Sequence, residues 1–415
     1  NGHSKVIYTE ENKYYIDEKN FDNVIFLDDG KHFIMTSEKD GYNHIYLHGL
    51  NGDLVNQVTK GEWDVTNFIG FDEENRLFYY TAAAETPIRR EVYSVTMDGK
   101  KIKKLSEQEG MNEAVFSKGY QYYVNYFSNS KTPPYITLHD ASGKVIRVLE
   151  DNKKLIEKLE EYNIAYKDFF TFETSQGVTL HGYMIKPPDF DPAKKYPVFM
   201  TQYSGPNSQS ALDYWSVDWE KYLAQEGYIV VCVDGRGTGA RGEEFRKMTY
   251  KQLGKYETVD QLETAKYMAS QDYVDPDRIG IYGWSYGGFM TLLCLTKGEG
   301  TFKAGIAVAP VTNWRYYDNI YTERFMRTPQ ENPDGYDDNS PITHADKLQE
   351  NLLIVHGSGD DNVHLQNTMM FIKELVQADK QFDMHIYTNK NHSIYGGNTR
   401  YHLFTKMVNY LKENL

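Results

Sequence analysis

The sequence predicts two parts of different class. An all-β array of short repeats runs to about residue 150, and an α/β part with a doubly wound, mostly parallel sheet follows. Three observations carry this. Two separate turn motifs in the first part recur with one shared period. Beyond residue 155, short apolar runs alternate with helical stretches. A Gly-x-Ser-x-Gly-Gly turn then sits between one such run and one such stretch.

The first turn motif joins an apolar strand to another through an acidic or polar turn. Its copies begin at Phe26, Phe71 and Phe116, a step of 45 residues each time. The second motif places Gly52, Gly99 and Gly143 in Asn-Gly-Asp, Asp-Gly-Lys and Ser-Gly-Lys turns, with steps of 47 and 44. Tyr- and Val-rich runs flank both, the pattern of hairpins with glycine turns. Four strands in about 45 residues is the period of a β-propeller blade. A sandwich with coincidental spacing is the alternative, and it leaves the common period of two turns unexplained. About three blades fit, whereas a closed ring takes about four to eight. The expectation is an incomplete propeller portion over residues 1–150, in a chain that is the C-terminal part of a longer polypeptide.

In the second part, over residues 151–415, strands are expected at 178–185, 198–203, 228–233, 279–282, 304–308, 352–355 and 384–387. Helical patterns cover 259–270, 366–377 and 402–412, and the charged stretch 153–167 reads as a linker. Buried strands alternating with helices indicate a parallel sheet covered on both faces. Ligands then belong at the carboxyl ends of its strands.

Composition removes several function classes. Lys and Arg number 45 against 59 Asp and Glu, a formal charge of −14, which argues against nucleic-acid binding. Aromatics reach 14%, too many for a disordered chain. No apolar run approaches the ~18 residues of a membrane helix. Cys232 and Cys294 lie in apolar contexts and read as buried residues; two cysteines cannot make a disulfide scaffold, though their pairing stays open. No His or Cys cluster has metal-ligand spacing, and the loop Asp234–Gly239 follows a strand without the G-x-G-x-x-G spacing of a nucleotide site. No metal and no cofactor are expected. The acidic pairs Glu243-Glu244 and Asp337-Asp338 are expected on solvated faces.

The chemistry is concentrated in Gly283-Trp284-Ser285-Tyr286-Gly287-Gly288. A strand precedes it and a helical stretch, 289–296, follows, so it reads as the nucleophile elbow of an α/β-hydrolase fold. Ser285 would stand at a helix N-terminus, with the next backbone N–H aimed at a developing oxyanion. A serine hydroxyl needs a base, and the base an orienting carboxylate, in the chain order Ser, Asp or Glu, His. The carboxylate is Asp360 or Asp361, on the loop after the strand 352–355. Among His364, His385, His392 and His402, only His392 follows a strand on a loop free to swing over the sheet edge. His356 is expected to support its loop.

These residues resemble the prolyl oligopeptidase family of serine peptidases, and its dipeptidyl peptidases most closely. The motifs are Asp234–Gly239, Gly283–Gly288, Tyr317-Asp318-Asn319-Ile320-Tyr321-Thr322-Glu323-Arg324 and Asp360-Asp361-Asn362-Val363-His364. The resemblance implies Ser285, Asp360 and His392 as the charge-relay set, with Asp360 favoured over Asp361. It implies that the Tyr203 hydroxyl completes an oxyanion hole with the Tyr286 amide. Tyr286, Val311, Trp314, Tyr317, Tyr321 and Val363 would form a small apolar pocket for proline, and Asn362 would hold a substrate carbonyl. The spacing of Tyr317 and Tyr321 predicts both rings on one helix face; taken alone, such a stripe reads as core. The implied activity is release of N-terminal X-Pro or X-Ala dipeptides, with peptides as partners, a homodimer, and a periplasmic or secreted location. A prolyl tripeptidyl peptidase or acylaminoacyl peptidase shares the triad. A carboxylesterase leaves the pocket motif unexplained, and a silent propeller binding protein would have lost a triad member. The family binds the substrate amine through a glutamate pair on a propeller insertion, for which this chain has no matching segment.

Overall fold

The computed structural model describes residues 2–17 and 23–415. In chain order the first strands are β1 (Ile25–Phe26), β2 (His32–Ser37), β3 (His44–Gly49), β4 (Leu54–Gln57), β5 (Val65–Asp72), β6 (Leu77–Ala82), β7 (Glu91–Thr96), β8 (Ile102–Lys104), β9 (Met111–Phe116), β10 (Tyr122–Ser128), β11 (Tyr135–Asp140) and β12 (Val145–Glu150). Helix α1 (Lys153–Glu160) follows, then β13 (Asp168–Glu173), β14 (Thr179–Ile185), β15 (Tyr196–Thr201), α2 (Trp219–Gln225), β16 (Ile229–Asp234), α3 (Gly242–Lys247), α4 (Lys255–Ala269), β17 (Val274–Trp284) and α5 (Tyr286–Lys297). The chain ends with β18 (Ala304–Val308), α6 (Asn319–Met326), α7 (Pro333–Asp338), β19 (Asn351–Gly357), α8 (Gln366–Gln377), β20 (Asp383–Tyr387) and α9 (Thr399–Asn414).

Strands β1–β12 form three four-stranded antiparallel meanders, β1–β4, β5–β8 and β9–β12. The sequence period maps directly onto them. Phe26, Phe71 and Phe116 lie at or near the end of the first strand of each sheet, and Gly52, Gly99 and Gly143 turn the third strand into the fourth at φ of 93°, 73° and 93°. In the first two sheets the middle strands are almost wholly buried, whereas in the third they are only partly so, and no fourth strand has a buried residue, β12 being exposed throughout. Ile34, Ile45, Leu47, Phe71, Phe78, Tyr80 and Val95 form one apolar core, and Tyr79, Val92, Leu105, Ala114 and Tyr123 another.

This unit spans Asn1–Tyr162 and also takes in two later segments, Leu212–Ser216 and Gly239–Lys247. Charge explains the second. Glu38, itself buried, pairs with Arg246 and with Lys247 Nζ at 3.0 Å, and the Gly242 amide donates to Asp64 at 2.9 Å. A buried carboxylate keeps its charge at low cost only when paired in this way. The acidic pair at 243–244 is therefore split: Glu244 is exposed, while the Glu243 side chain is 13% exposed and lies 3.4 Å from Lys247. The expectation of a solvated face holds for one of the two.

The second unit holds one eight-stranded sheet in the order β13-β14-β16-β15-β17-β18-β19-β20. Six strands from β16 to β20 run parallel, and β14 and β13 are antiparallel to their neighbours. All six residues of β16 and all five of β18 are buried, and apart from Asp234 at the end of β16 none is polar, which is why they read as apolar runs. One face packs Phe199, Val230, Cys232, Ile306, Val308, Leu353 and Val355 with residues of α2 and α9. Helices α4 and α5 pack against each other and against β17. Cys232 and Cys294 are both buried free thiols. Strand β13 carries no expectation from the sequence; it is an edge strand with one buried residue, so it lacks the apolar run that marks the others. The parallel order reverses at β15, which lies between β16 and β17, and a crevice at the carboxyl end of such a strand is where ligands bind.

Candidate active site

Ser285 follows β17, next to that reversal. Its backbone lies at φ 61°, ψ −119°, a region L residues avoid, and its amide is held by the Val308 carbonyl at 2.8 Å. The surrounding glycines are required by contact. A Cβ on Gly283 would sit 2.1 Å from the Gly287 carbonyl oxygen, and one on Gly287 would sit 2.5 Å from the Gln202 carbonyl oxygen. Both clashes are with backbone, so no side-chain motion relieves them. Gln202 Nε2 also donates to the Gly287 carbonyl at 2.7 Å, tying the end of β15 to the elbow.

Asp360 and His392 meet from the loops after β19 and β20. His392 Nδ1 lies 2.7 Å from Asp360 Oδ2, while Oδ1 accepts from the Asn362 and Val363 amides, each at 3.0 Å. The buried His356 has its Nε2 2.8 Å from the Val363 carbonyl oxygen and 3.3 Å from Asp360 Oδ2, with its Nδ1 2.7 Å from Thr368 Oγ1. Burial of Asp360 works against its charge, but the donations from His356, His392 and the Asn362 amide outweigh it and hold the carboxyl well below the usual range. An imidazole that gives Nδ1–H to a carboxylate keeps its Nε2 lone pair for another proton. Asp361 is exposed, so the structure separates the two carboxylates left open by the residues alone. Trp284, the residue before Ser285, donates Nε1–H to the His392 carbonyl at 3.0 Å and so pins the histidine loop to the elbow. His364 is exposed, and His385 and His402 lie near each other on β20 and α9, their rings 5.4 Å apart.

Tyr203 stands two residues past β15 and is 40% exposed. A Cβ on Gly205 would lie 2.6 Å from its ring, so glycine there makes room for it. Partial burial raises its hydroxyl above the ordinary tyrosine value. Its ring centre is 6.0 Å from that of Tyr286.

The remaining aromatic residues form a box. Buried Trp314 stacks on Tyr321 at 5.8 Å and lies 5.4 Å from Tyr286 and 5.8 Å from Tyr317. Tyr317 and Tyr321 meet edge-to-face at 5.4 Å, but not on one helix face. Tyr317 is extended at φ −115°, ψ 166°, and α6 begins only after the Asp318 cap, which accepts from the Tyr321 amide. A capping aspartate between the two residues breaks the helix that i, i+4 spacing suggests. The Tyr317 hydroxyl donates to Asn362 Oδ1 at 2.7 Å, and Val311 and Val363 are buried.

Sequence reasoning missed the long-range partners Trp284, Gln202 and Glu257, the last of which accepts from the Tyr286 hydroxyl at 2.7 Å. A glutamate on a helix carries no signal of burial by itself. Among the described residues, no group of three or more His, Cys, Asp and Glu could hold a metal ion, and no helix is long and apolar enough to cross a membrane.

The chain is similar to the crystal structure of Porphyromonas gingivalis dipeptidyl peptidase 4, at 52% identity and a TM-score of 0.96, over 99% of this chain and 58% of that one. A putative dipeptidyl aminopeptidase IV from Bacteroides ovatus matches at 32% identity and a TM-score of 0.89, over 97% and 60%. A probable dipeptidyl-aminopeptidase B of Aspergillus terreus is 42% identical over 390 residues, 91% of this chain and 42% of that protein. The chain thus spans less than half the length of this curated relative. Residues 1–134 match the dipeptidyl peptidase IV N-terminal region, and residues 215–415 match the prolyl oligopeptidase family. With the elbow, the Asp360–His392 pair and the aromatic box all inside or beside the second match, the chain belongs to the prolyl oligopeptidase family.

Proposed function

We propose that the protein is a serine exopeptidase that releases N-terminal X-Pro or X-Ala dipeptides from peptides. The observation that carries this is the double position of Tyr286. Its amide directly follows Ser285, and its ring is one wall of the aromatic box. A proline ring seated in that box brings its own carbonyl to the nucleophile.

Ser285 Oγ attacks that carbonyl as His392 Nε2 takes its proton. Asp360, buried and ionised, orients the imidazole and stabilises the imidazolium. The Tyr286 amide and the Tyr203 hydroxyl receive the charge that forms on the carbonyl oxygen. His392 returns the proton to the leaving amine, which departs and leaves the dipeptide esterified to Ser285. Water activated by His392 then releases it. Asn362, held by Tyr317, is placed to bind a substrate carbonyl. We also propose a homodimer for the intact protein, to be read by light scattering.

The test is a product profile from the intact protein acting on Gly-Pro and acetyl-Gly-Pro chromogenic substrates. Cleavage of the free-amine substrate alone, with dipeptide as product, is expected. Equal cleavage of the blocked substrate would overturn the dipeptidyl register.

A further inference from the structure

The buried face of α4 is polar where an apolar stripe would be ordinary. Glu257, Asp260 and Gln261, at i, i+3 and i+4, are each 0% exposed, and each reaches a different loop at the carboxyl end of the sheet. Asp260 binds Arg236, through its amide at 2.6 Å and its guanidinium at 2.6–3.0 Å, in the loop after β16. That pairing accounts for Gly235 and Arg236 in the Asp234–Gly239 motif, because a Cβ on Gly235 would lie 2.9 Å from the Asp260 side chain. Gln261 Nε2 donates to the Val233 carbonyl at 3.0 Å and reaches Ser204, the residue after Tyr203, at 3.3 Å.

Glu257 reaches the elbow. One carboxylate oxygen accepts from the Gly254 amide at 3.0 Å, and the other accepts from the Tyr286 hydroxyl at 2.7 Å. Gly254 is itself fixed: its φ is 91°, and a Cβ there would lie 2.5 Å from Leu293 and 2.7 Å from Phe289 on α5. The start of α4 is therefore pressed against α5, and Glu257 bridges it to the first residue of that helix.

We propose that Glu257 is a positioning residue of the peptidase site, holding Tyr286 by its hydroxyl so that its ring sets the size of the proline pocket and its amide stays aimed beside Ser285. The inference rests on the function proposed above and adds what determines selectivity between Pro and Ala. Burial pushes the Glu257 carboxyl up to about 7 against the donations it receives, and burial raises the Tyr286 hydroxyl as well. Neither group sits where solvent can replace the lost partner, so removing either frees the ring. Glutamine can keep both links. Its carbonyl oxygen accepts from Gly254 and its NH2 donates to the Tyr286 oxygen. Leucine keeps neither.

The test measures kcat and KM of the intact protein on Gly-Pro and Gly-Ala chromogenic substrates. Tyr286→Phe and Glu257→Leu are each expected to lower kcat/KM for Gly-Pro about tenfold, and Gly-Ala less, because one buried charge-assisted hydrogen bond is at stake. Glu257→Gln should stay within about threefold of wild type. The double variant Tyr286→Phe/Glu257→Leu should be no worse than either single one, since both remove the same bond. An unchanged Pro-to-Ala ratio in Tyr286→Phe, or losses that multiply in the double variant, would overturn the proposal. If Glu257→Leu does not fold, Tyr286→Phe and Glu257→Gln decide it. A wild-type protein inert toward both substrates, or active after Ser285→Ala, overturns the parent reading and this one together. An active wild type with an unmoved ratio overturns this one alone.

Discussion

Each unit of the chain buries a glutamate whose carboxyl is pushed up to about 7, and the two are held in opposite ways. Glu91 opens β7 in the second four-stranded sheet, and among the described residues neither of its oxygens has a hydrogen-bond partner. Burial raises it first and Glu85 adds repulsion, while Lys104, Arg90 and Arg89 pull it back. Glu257 is also raised first by burial, yet it spans two donors on two elements. A raised carboxyl therefore says only that water is gone. Its partners say what the position is for: Glu91 is a cost borne by a sheet, whereas Glu257 is a tie between the start of α4 and Tyr286 on α5.

The strongest way to break this contrast is through turnover. Ser285→Ala and His392→Ala should each lower kcat by roughly four to six orders of magnitude, because the members of such a set act as one unit. Glu91→Gln should leave kcat/KM unchanged. A Glu91 variant that lost activity would end the separation of roles.

Tyr203→Phe comes next. On the proposed mechanism it removes one donor to the oxyanion while keeping the ring against Gly205, and should cost about 100- to 1,000-fold in kcat, about 2.7–4 kcal/mol, with little change in KM. An equal change in kcat and KM would move Tyr203 from transition-state stabilisation to substrate binding.

The two glutamates then differ from Asp360 in the sign of their pH dependence. Below the ordinary value of 4.5 both folded and unfolded glutamates are protonated, so neither affects stability. Between 4.5 and about 7 the folded chain keeps protons that the unfolded chain releases, so stability falls as pH rises. The slope is at most about 1.4 kcal/mol per pH unit for Glu257, and shallower for Glu91 with three cations nearby. Asp360, held below its ordinary value of 3.8, stabilises above that pH and loses its contribution as pH falls further. Urea midpoints from pH 5 to 8 should flatten in steps with Glu91→Gln and Glu257→Gln. An unaltered slope in either variant would show that its carboxyl does not titrate in that window.

Legibility followed the range of the forces involved. The four-stranded sheets could be read because each pairs neighbours in sequence, so a turn glycine and an apolar run recur together. The parallel strands could be read because burial on both faces leaves no polar position in β18 and only the terminal Asp234 in β16. The elbow was legible because Gly283 and Gly287 are demanded by backbone contacts within a few residues, together with one strand end. The antiparallel edge β13 was not, since an edge needs few apolar residues. The break at Asp318 was missed because i, i+4 spacing carries no record of a cap between the residues. Glu257 was missed because its partners, apart from Gly254, are remote in sequence, and nothing local distinguishes it from a solvated acid.

The smallest effect tests how far the repeat itself is only local. Gly52, Gly99 and Gly143 occupy one turn in three sheets, with similar left-handed φ, and alanine at any of them carries a strain of about 1–2 kcal/mol. Their surroundings differ. An added Cβ would lie 1.9 Å from the Ile7 carbonyl oxygen at Gly52, 2.6 Å from that of Val58 at Gly99, and 3.1 Å from that of Leu105 at Gly143. If the period is a matter of turn geometry alone, the three alanine variants should lower the urea midpoint equally. The contacts predict a ranking instead, Gly52→Ala most destabilised, Gly99→Ala next, and Gly143→Ala close to the strain alone. Glycine would then be kept at one position of the repeat for two reasons, conformation in all three sheets and close backbone approach in the first two. Equal losses would return all three to conformation, and a reversed order would mean that the Ile7 backbone yields more easily than the turn.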